Sequence, residues 1–333
     1  MTPHRPPPSV KAMLTAYPRT AGRPLEAVTG TAIRTRGLSM RYGSVEAIRS
    51  IDLDVLTGEI FAILGPNGAG KTTTVEILAG LRDRSAGEVE VLGADPAHGG
   101  SAWRNRIGIV LQESAPEPGL TVRESLELYA GYYERPRAVD ETIALVGLEQ
   151  RADAPGERLS GGERRRLGVA FALIGDPELV FLDEPTTGFD PSARRAAWRT
   201  IDRLRSLGRT IVLTTHHMEE AERLADRIAV VADGRIVAAG TPKTLARRDR
   251  MESEIRFSLR GVPPYELPAR LRSEVRGDGS GRLVIRTPVP LAELVALGEW
   301  ALATGHDVDD LEVRPPSLED AYLELTSDHR KDG

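Results

Sequence analysis

The run Gly65-Pro66-Asn67-Gly68-Ala69-Gly70-Lys71-Thr72-Thr73 carries the residue types that hold a nucleoside triphosphate. It has glycine, four residues, glycine, lysine and threonine, set between the apolar run Glu59–Leu64 and a helix-like segment over Val75–Leu81. The pattern needs that strand, loop and helix setting. Glycines let successive backbone amides turn toward phosphate oxygens, and the following helix adds the positive end of its dipole. On this reading Lys71 bridges the outer phosphates and Thr72 offers its hydroxyl to magnesium. A glycine-rich turn that only starts a helix is the plain alternative, and it gives no reason for Lys-Thr at this offset.

A second chemical pair closes the apolar run Leu179-Val180-Phe181-Leu182, which ends in Asp183 and Glu184. An aspartate at the carboxyl end of a strand reaches magnesium through water, and the next residue points into the cleft beside the γ-phosphate. Asp183 is therefore expected as the metal-side acid. Glu184 is expected as the general base for water attack, an effect typically worth about 10²–10⁴-fold in rate. Two solvated acids at a strand end are common in isolation, and the phosphate loop upstream weighs against that reading here. Ser160-Gly161-Gly162, followed by Glu163, opens a helix through Leu173. Its hydroxyl and amides suit a phosphate. Ser160 and Glu163 also have capping-box spacing, and taken alone the segment reads as a cap.

The elements that position these groups follow from the pattern of apolar residues. Thr35–Tyr42 and Ala47–Val55 alternate apolar with polar, as half-buried antiparallel strands do. Leu179–Leu182 and Thr210–Leu213 are wholly apolar and are separated by a helical stretch over Pro191–Leu207, which implies a parallel sheet covered on both faces. Between Trp103 and Pro177 the pattern is mostly helical. Arg227–Val231 and Gly234–Ala238 form a hairpin on Asp233-Gly234, and Thr241-Pro242 caps a short helix that closes the first domain near Arg250. The remainder begins a new register. Its expected elements are a strand at Glu254–Leu259, a helix at Leu267–Val275, a strand at Arg282–Arg286, a helix at Pro290–Thr304, a strand at Asp310–Arg314 and a helix at Leu318–Leu325.

With 333 residues, two domains are the prior. Residues 1–32, with six prolines and little apolar periodicity, read as a disordered tail. An α/β domain spans 33–250, with a helical subdomain over 103–177, and a small α+β domain spans 251–333. Hydrophobic residues at 40% and charged ones at 28% describe an ordinary globular chain. No run approaches the ~18–20 apolar residues needed to cross a bilayer, so a membrane role must come through a partner. The absence of cysteine removes disulfides and thiolate chemistry. A net charge of −5 without a long basic block argues against nucleic acid as a partner. His216 and His217 are adjacent, and no further ligand at sensible spacing makes them a zinc site.

Taken together and in order, the phosphate loop Gly65–Thr72, Leu159-Ser160-Gly161-Gly162, Leu179–Glu184, Pro185-Thr186-Thr187-Gly188-Phe189-Asp190 and Thr215-His216 closely resemble the ATP-binding subunit of ABC transporters, over about residues 33–250. The resemblance implies a P-loop NTPase fold with a mixed sheet and a helical subdomain. It also implies ATP and Mg2+ as cofactors and a homodimer packed head to tail. In such a dimer Ser160-Gly161-Gly162 of one copy closes over ATP held by the phosphate loop of the other. By the same resemblance Tyr42 stacks on adenine, Gln112 touches magnesium and the attacking water, His216 contacts the γ-phosphate and Asp190 shapes the interface beside Glu184. Read without it, Tyr42 is also a strand-edge cover and Gln112 a polar strand end. Two departures, Glu163 where glutamine is commonest and Phe189 for a usual leucine, leave the phosphate contacts of Ser160 and the glycine amides in place. An acid in a helix's first turn is favoured by the dipole.

The segment 113–121 lies where this family receives a short helix of the membrane subunit. The C-terminal stretch Pro315–Thr326 resembles the daunorubicin-resistance type of exporter ATPase, and Leu318, Ala321, Tyr322 and Leu325 fall on one helical face. The expected protein is the ATP-hydrolysing subunit of a bacterial exporter of drug-like or lipid-like substrates. It would be held at the cytoplasmic face of the membrane by a separately encoded transmembrane permease, without a covalent membrane anchor. The rival is a soluble ABC ATPase acting on DNA or ribosomes. Such proteins carry two cassettes per chain or long coiled-coil or zinc insertions, and this sequence has one motif set and neither insertion.

Overall fold

The computed structural model describes residues 30–110, 118–246, 252–259, 263–272, 275–277 and 282–314. Gln112, most of the 113–121 loop, the proline-rich first 29 residues and the segment 318–325 lie outside the described residues.

The first strands are β1 (Thr31–Tyr42), β2 (Val45–Leu56) and β3 (Ile60–Leu64), and helix α1 (Lys71–Leu78) follows the phosphate loop. Next come β4 (Ala86–Val91), β5 (Ile107–Val110), α2 (Val122–Ala130), α3 (Val139–Val146) and α4 (Gly161–Leu173). Strand β6 (Leu179–Asp183), α5 (Pro191–Ser206), β7 (Thr210–Thr215), α6 (Met218–Leu224) and the hairpin β8 (Arg227–Ala232) and β9 (Arg235–Gly240) complete this part. The central sheet has the order β5-β6-β7-β3-β8-β9, parallel except for the last pair. Every residue of β3, β6 and β7 is buried, as expected of strands covered on both faces. Their side chains alternate between two cores. Ile60, Ala62 and Leu64 face a core shared with α2 to α6, while Phe61 and Ile63 face α1 and the antiparallel sheet β2-β1-β4.

The expected mixed sheet with flanking helices is therefore the observed fold, and the differences lie in detail. Strand β4 has no counterpart in the sequence reading. It is short, and only Val89 and Val91 are buried among Glu88 and Glu90. The stretch read as helical from Trp103 begins with one helical turn and then enters β5, which pairs with β6 at the sheet edge. Gly108 allows this strand to lie directly on α4, since a Cβ there would sit 2.2 Å from the Ala172 carbonyl oxygen. The β8–β9 turn is as expected, with Asp233 and Gly234 both at positive φ, as a type I′ turn requires. Thr241 caps the one-turn helix Pro242–Leu245 by accepting from the Thr244 amide.

The C-terminal part forms its own antiparallel sheet from β10 (Ser253–Leu259), β11 (Val275–Gly277), β12 (Leu283–Thr287) and β13 (Val308–Arg314), in the order β11-β12-β10-β13. The one-turn helix Ala269–Arg272 and the long α7 (Pro290–Thr304) make the chain order β-α-β-β-α-β, a split β-α-β arrangement. The helix expected over Leu267–Val275 is only that single turn, and Val275 instead pairs with Ile285 in the sheet. Pro263, Pro264 and Pro268 confine the preceding chain to turns, and β-branched Val275 fits a strand. A separate core of Ile255, Phe257, Leu267, Leu271, Ile285 and Leu297 fills this part.

Phe257 is fully buried in that core. Phe257→Ala is expected to cost about 3–5 kcal/mol in the stability of the C-terminal part. Calorimetry with and without ATP should show one unfolding transition lowered while the ATP-stabilised transition keeps its position.

Candidate active site

Strand β3 ends at Leu64, and the chain turns at once into the loop 65–70. The loop is packed against the neighbouring strand, because a Cβ on Gly65 would lie 2.3 Å from the Val231 carbonyl oxygen. Gly70, with φ +96, sits at the N-cap of α1 and contributes no side-chain cap. The first-turn amides are thereby left to an outside acceptor, and an anion at the positive end of the helix supplies one. Asn67, Gly68, Gly70, Lys71, Thr72, Thr73, Ala47 and Glu184 line a cavity of about 370 Å³ at this mouth. Pro66 is exposed on the loop, and Ala69 is buried beneath it.

Lys71 is almost fully buried, and its Nζ donates to the Gly65 and Pro66 carbonyls at 2.9 and 3.0 Å. The same nitrogen lies 3.3 Å from Glu184 Oε1. The Thr72 hydroxyl donates to Asp183 at 3.0 and 3.3 Å, and Thr214 in β7 also donates to that carboxylate. Parallel pairing of β6 with β7 sets Asp183 beside Thr214. A threonine hydroxyl next to an aspartate is a hard-oxygen pair suited to Mg2+, which takes one or two protein ligands and completes its shell with phosphate and water. Among the described residues no group of three or more His, Cys, Asp and Glu is placed to hold a metal, so an all-protein centre is not formed there.

Glu184 follows Asp183 with φ 47, a left-handed conformation that a non-glycine residue adopts at a cost of about 1–3 kcal/mol. Surrounding bonds hold it there. Its amide donates to the Thr214 carbonyl at 3.2 Å and its Oε2 accepts from the Thr187 hydroxyl at 3.0 Å. His216 Nδ1 lies 3.3 Å from Oε1. Burial pushes the Glu184 carboxyl up. The Thr187 and His216 hydrogen bonds and the Lys71 charge outweigh burial, and the group sits below the usual glutamate range. The structure thereby separates the two histidines. His216 faces Glu184, whereas His217 packs at a tilt against His216, with ring centroids 4.0 Å apart, and has its pKa pulled down, by burial first.

Other expected residues lie apart from this cluster. Ser160, Gly161 and Gly162 start α4 and do not line the cavity of their own chain. Ser160 and Glu163 make a complete capping box. Asp190 caps α5 by accepting from the Ser192 and Ala193 amides at 2.8 and 2.9 Å. Tyr42, at the end of β1, is 40% exposed beneath the Arg82 guanidinium and does not line the cavity. The structure adds residues that the sequence reading did not single out, namely Thr187, Thr214, Arg165 and Glu220. Arg165 donates to the Asp183 and Glu184 carbonyls. Glu220 is buried, with its pKa raised by that burial, and accepts from Thr186 and Trp198. The available signal was the pair of threonines ending β7, just before His216.

A phosphate loop on one strand, and an acid pair at the end of a strand two places along the same parallel sheet, define a nucleoside triphosphatase of the P-loop class. Residues 48–187 match the ABC transporter family model, and residues 253–317 match the model described as ABC transporter domain-containing protein-like, C-terminal domain. Nod factor export ATP-binding protein I of Cupriavidus metallidurans is 38% identical over 314 residues, 90% of this chain and 99% of that protein. Daunorubicin resistance ATP-binding protein DrrA3 of Streptomyces coeruleorubidus is 38% identical over 311 residues, 90% of this chain and 98% of that protein. Among solved structures, the ATP-binding subunit of an ABC transporter aligns with TM-score 0.59 and 28% identity over 66% of this chain and 93% of that one. A dimeric ATP-binding cassette in a post-hydrolysis state, bound to ADP and Pi, aligns with TM-score 0.57 and 25% identity over 63% and 98%. The chain belongs to the ATP-binding proteins of ABC transporters. It is an ATPase whose hydrolysis is coupled to transport.

Glu163 gives the site a pH signature. The Ser160 amide, then Arg151 and the Ser160 hydroxyl, hold its carboxyl down at about 2, against an ordinary 4.5. A depressed folded pKa gives stability that is present above the unfolded value and lost as pH falls toward the folded one. Glu163→Gln keeps the cap geometry but removes the charge, at an expected cost of about 0.3–1 kcal/mol near neutral pH. In thermal unfolding across pH, the wild-type advantage should be flat above about 4.5 and shrink toward pH 2.

Proposed function

We propose that this chain is the ATP-hydrolysing subunit of an exporter, working as a homodimer beneath a separate membrane-spanning permease and driving out a drug-like or lipid-like substrate. The observation that carries the exporter reading is the match along nine-tenths of the chain to relatives named for Nod factor export and for daunorubicin resistance. Among the described residues no helix is long and apolar enough to cross a membrane, which fits a translocation path supplied by another chain. The dimeric solved relative, together with a Ser160–Gly162 loop outside its own chain's cavity, supports a site completed by a second copy.

In the proposed chemistry, the amides of Asn67, Gly68 and Gly70 and Lys71 grip the phosphates, while Thr72 and Asp183 would hold Mg2+, with Gln112 joining them by resemblance. The ion supplies charge neutralisation at the phosphates when bound. Glu184 orients the attacking water and takes its proton. Thr187 fixes one carboxylate oxygen, leaving the other to face the site beside His216. When Lys71 turns from Glu184 to phosphate oxygens, the carboxylate loses a positive neighbour and becomes a better base. His216 then lies within reach of the γ-phosphate and keeps Glu184 oriented. Tyr42 and Asp190 serve, respectively, the adenine ring and the interface between copies.

Glu184→Gln is expected to bind ATP as the wild type does, to hydrolyse it about 10²–10⁴-fold more slowly and to accumulate as a dimer. Normal turnover by that variant in a phosphate-release assay would remove Glu184 from the role of base. For the transport assignment, purification from membranes should bring down a separately encoded transmembrane protein. Recovery with ribosomes or DNA instead would favour a non-transport ATPase.

A further inference from the structure

Arg165 lies on α4 five residues after Ser160, half-buried beneath the turn that carries Glu184. Its Nη2 donates to the Asp183 carbonyl at 2.7 Å and to the Glu184 carbonyl at 3.2 Å. These carbonyls belong to the last residue of β6 and to the residue at φ 47, where the backbone sets the direction of the catalytic carboxylate. The other bonds that hold Glu184 come from the sheet, from His216, from Lys71 and from its own turn: Thr214 at the amide, His216, Lys71 and Thr187 at the side chain, and the Thr187 amide at the carbonyl. Arg165 is a hold that comes from α4, the helix capped by Ser160 and opened by Gly161 and Gly162. The helix itself is seated without slack on the sheet edge, through the contact of Gly108 with Ala172.

We infer that Arg165 is a positioning residue that couples the two nucleotide sites of the dimer. This rests on the homodimer reading above, in which the Ser160–Gly162 loop serves the nucleotide held by one copy and Glu184 serves the nucleotide held by the other. When the loop closes on its phosphate, α4 shifts, and the guanidinium carries that shift to the two carbonyls that aim Glu184. One guanidinium nitrogen at the end of a long side chain reaches both oxygens at once, which a neutral amide of shorter reach does not. Burial lowers the pKa of the Arg165 guanidinium on balance, and the nearby Asp183 and Glu184 charges offset only part of that. On this reading Arg165 acts through the Glu184 backbone and not on a nucleotide directly. Its effect therefore falls on turnover and on communication between sites, and not on ATP affinity.

The test uses the full-length chain with its membrane partner and compares wild type, Arg165→Gln and Arg165→Lys. ATPase rate against ATP concentration, equilibrium ATP binding and the thermal midpoint are read for each. Arg165→Gln is expected to lower kcat at least tenfold, to leave the ATP Kd within about twofold and to bring a Hill coefficient above one down to one. Arg165→Lys, which keeps the charge, is expected to recover part of kcat. Unchanged kcat and cooperativity in Arg165→Gln would overturn the inference, as would a parallel loss of affinity, rate and thermal midpoint in both variants. A wild-type protein that hydrolyses ATP without cooperativity overturns the coupling alone. One that neither dimerises nor hydrolyses ATP overturns the homodimer reading and the coupling with it.

Discussion

A buried ammonium group has to be paired, and the arrangement of the catalytic mouth follows from how Lys71 is paired. Two carbonyls of its own loop and the Glu184 carboxylate surround it, at 2.9 to 3.3 Å. Both charged partners are nearly water-free, so loss of either strands the other at a cost of about 3–5 kcal/mol. The loop must curl back on itself to present Gly65 and Pro66 to the lysine, and that curl is the one that turns its amides outward. Glu184 must leave the strand in a left-handed turn to reach across, which explains why Thr187, Thr214, His216 and Arg165 all gather on it. The parallel sheet serves these contacts by bringing the ends of β3, β6 and β7 to one edge.

The chemistry was legible where it is local. The loop 65–73 and the Asp183-Glu184 pair are contiguous, their residue types are dictated by phosphate and metal binding, and the flanking apolar runs announce strands. The capping box at Ser160 and Glu163 and the Asp233-Gly234 turn are likewise written within a few residues. What could not be read is what depends on distant chain segments. Thr214 matters because register sets it beside Asp183, 31 residues away in sequence, and Arg165 because a helix crosses beneath the strand end. The family resemblance alone favoured His216 over His217, and nothing physical in the sequence separated them until β7 fixed which ring faces Glu184.

The misread secondary structure has the same origin. Strands β4 and β5 are short, and their apolar pattern is too brief to show a period, so partners in the sheet decide their state. In the C-terminal part, prolines left a single helical turn where nine residues of helix were expected, whereas α7 begins and ends where its proline and Gly305 place it. Tyr42 and the Ser160–Gly162 loop are in place locally but stand outside the cavity of their own chain. Among the described residues, that cavity does not gather every group that the sequence motifs name.

The tight seating of Gly65 and Gly108 has a consequence for how this protein tolerates genetic change. A single added carbon at either position would strike a carbonyl oxygen of a neighbouring element, at 2.3 and 2.2 Å respectively. Neither residue offers a ligand group, yet each is as intolerant of replacement as one that does. Damaging alleles should therefore scatter well beyond the residues that meet nucleotide, along the seams where backbone lies directly on backbone.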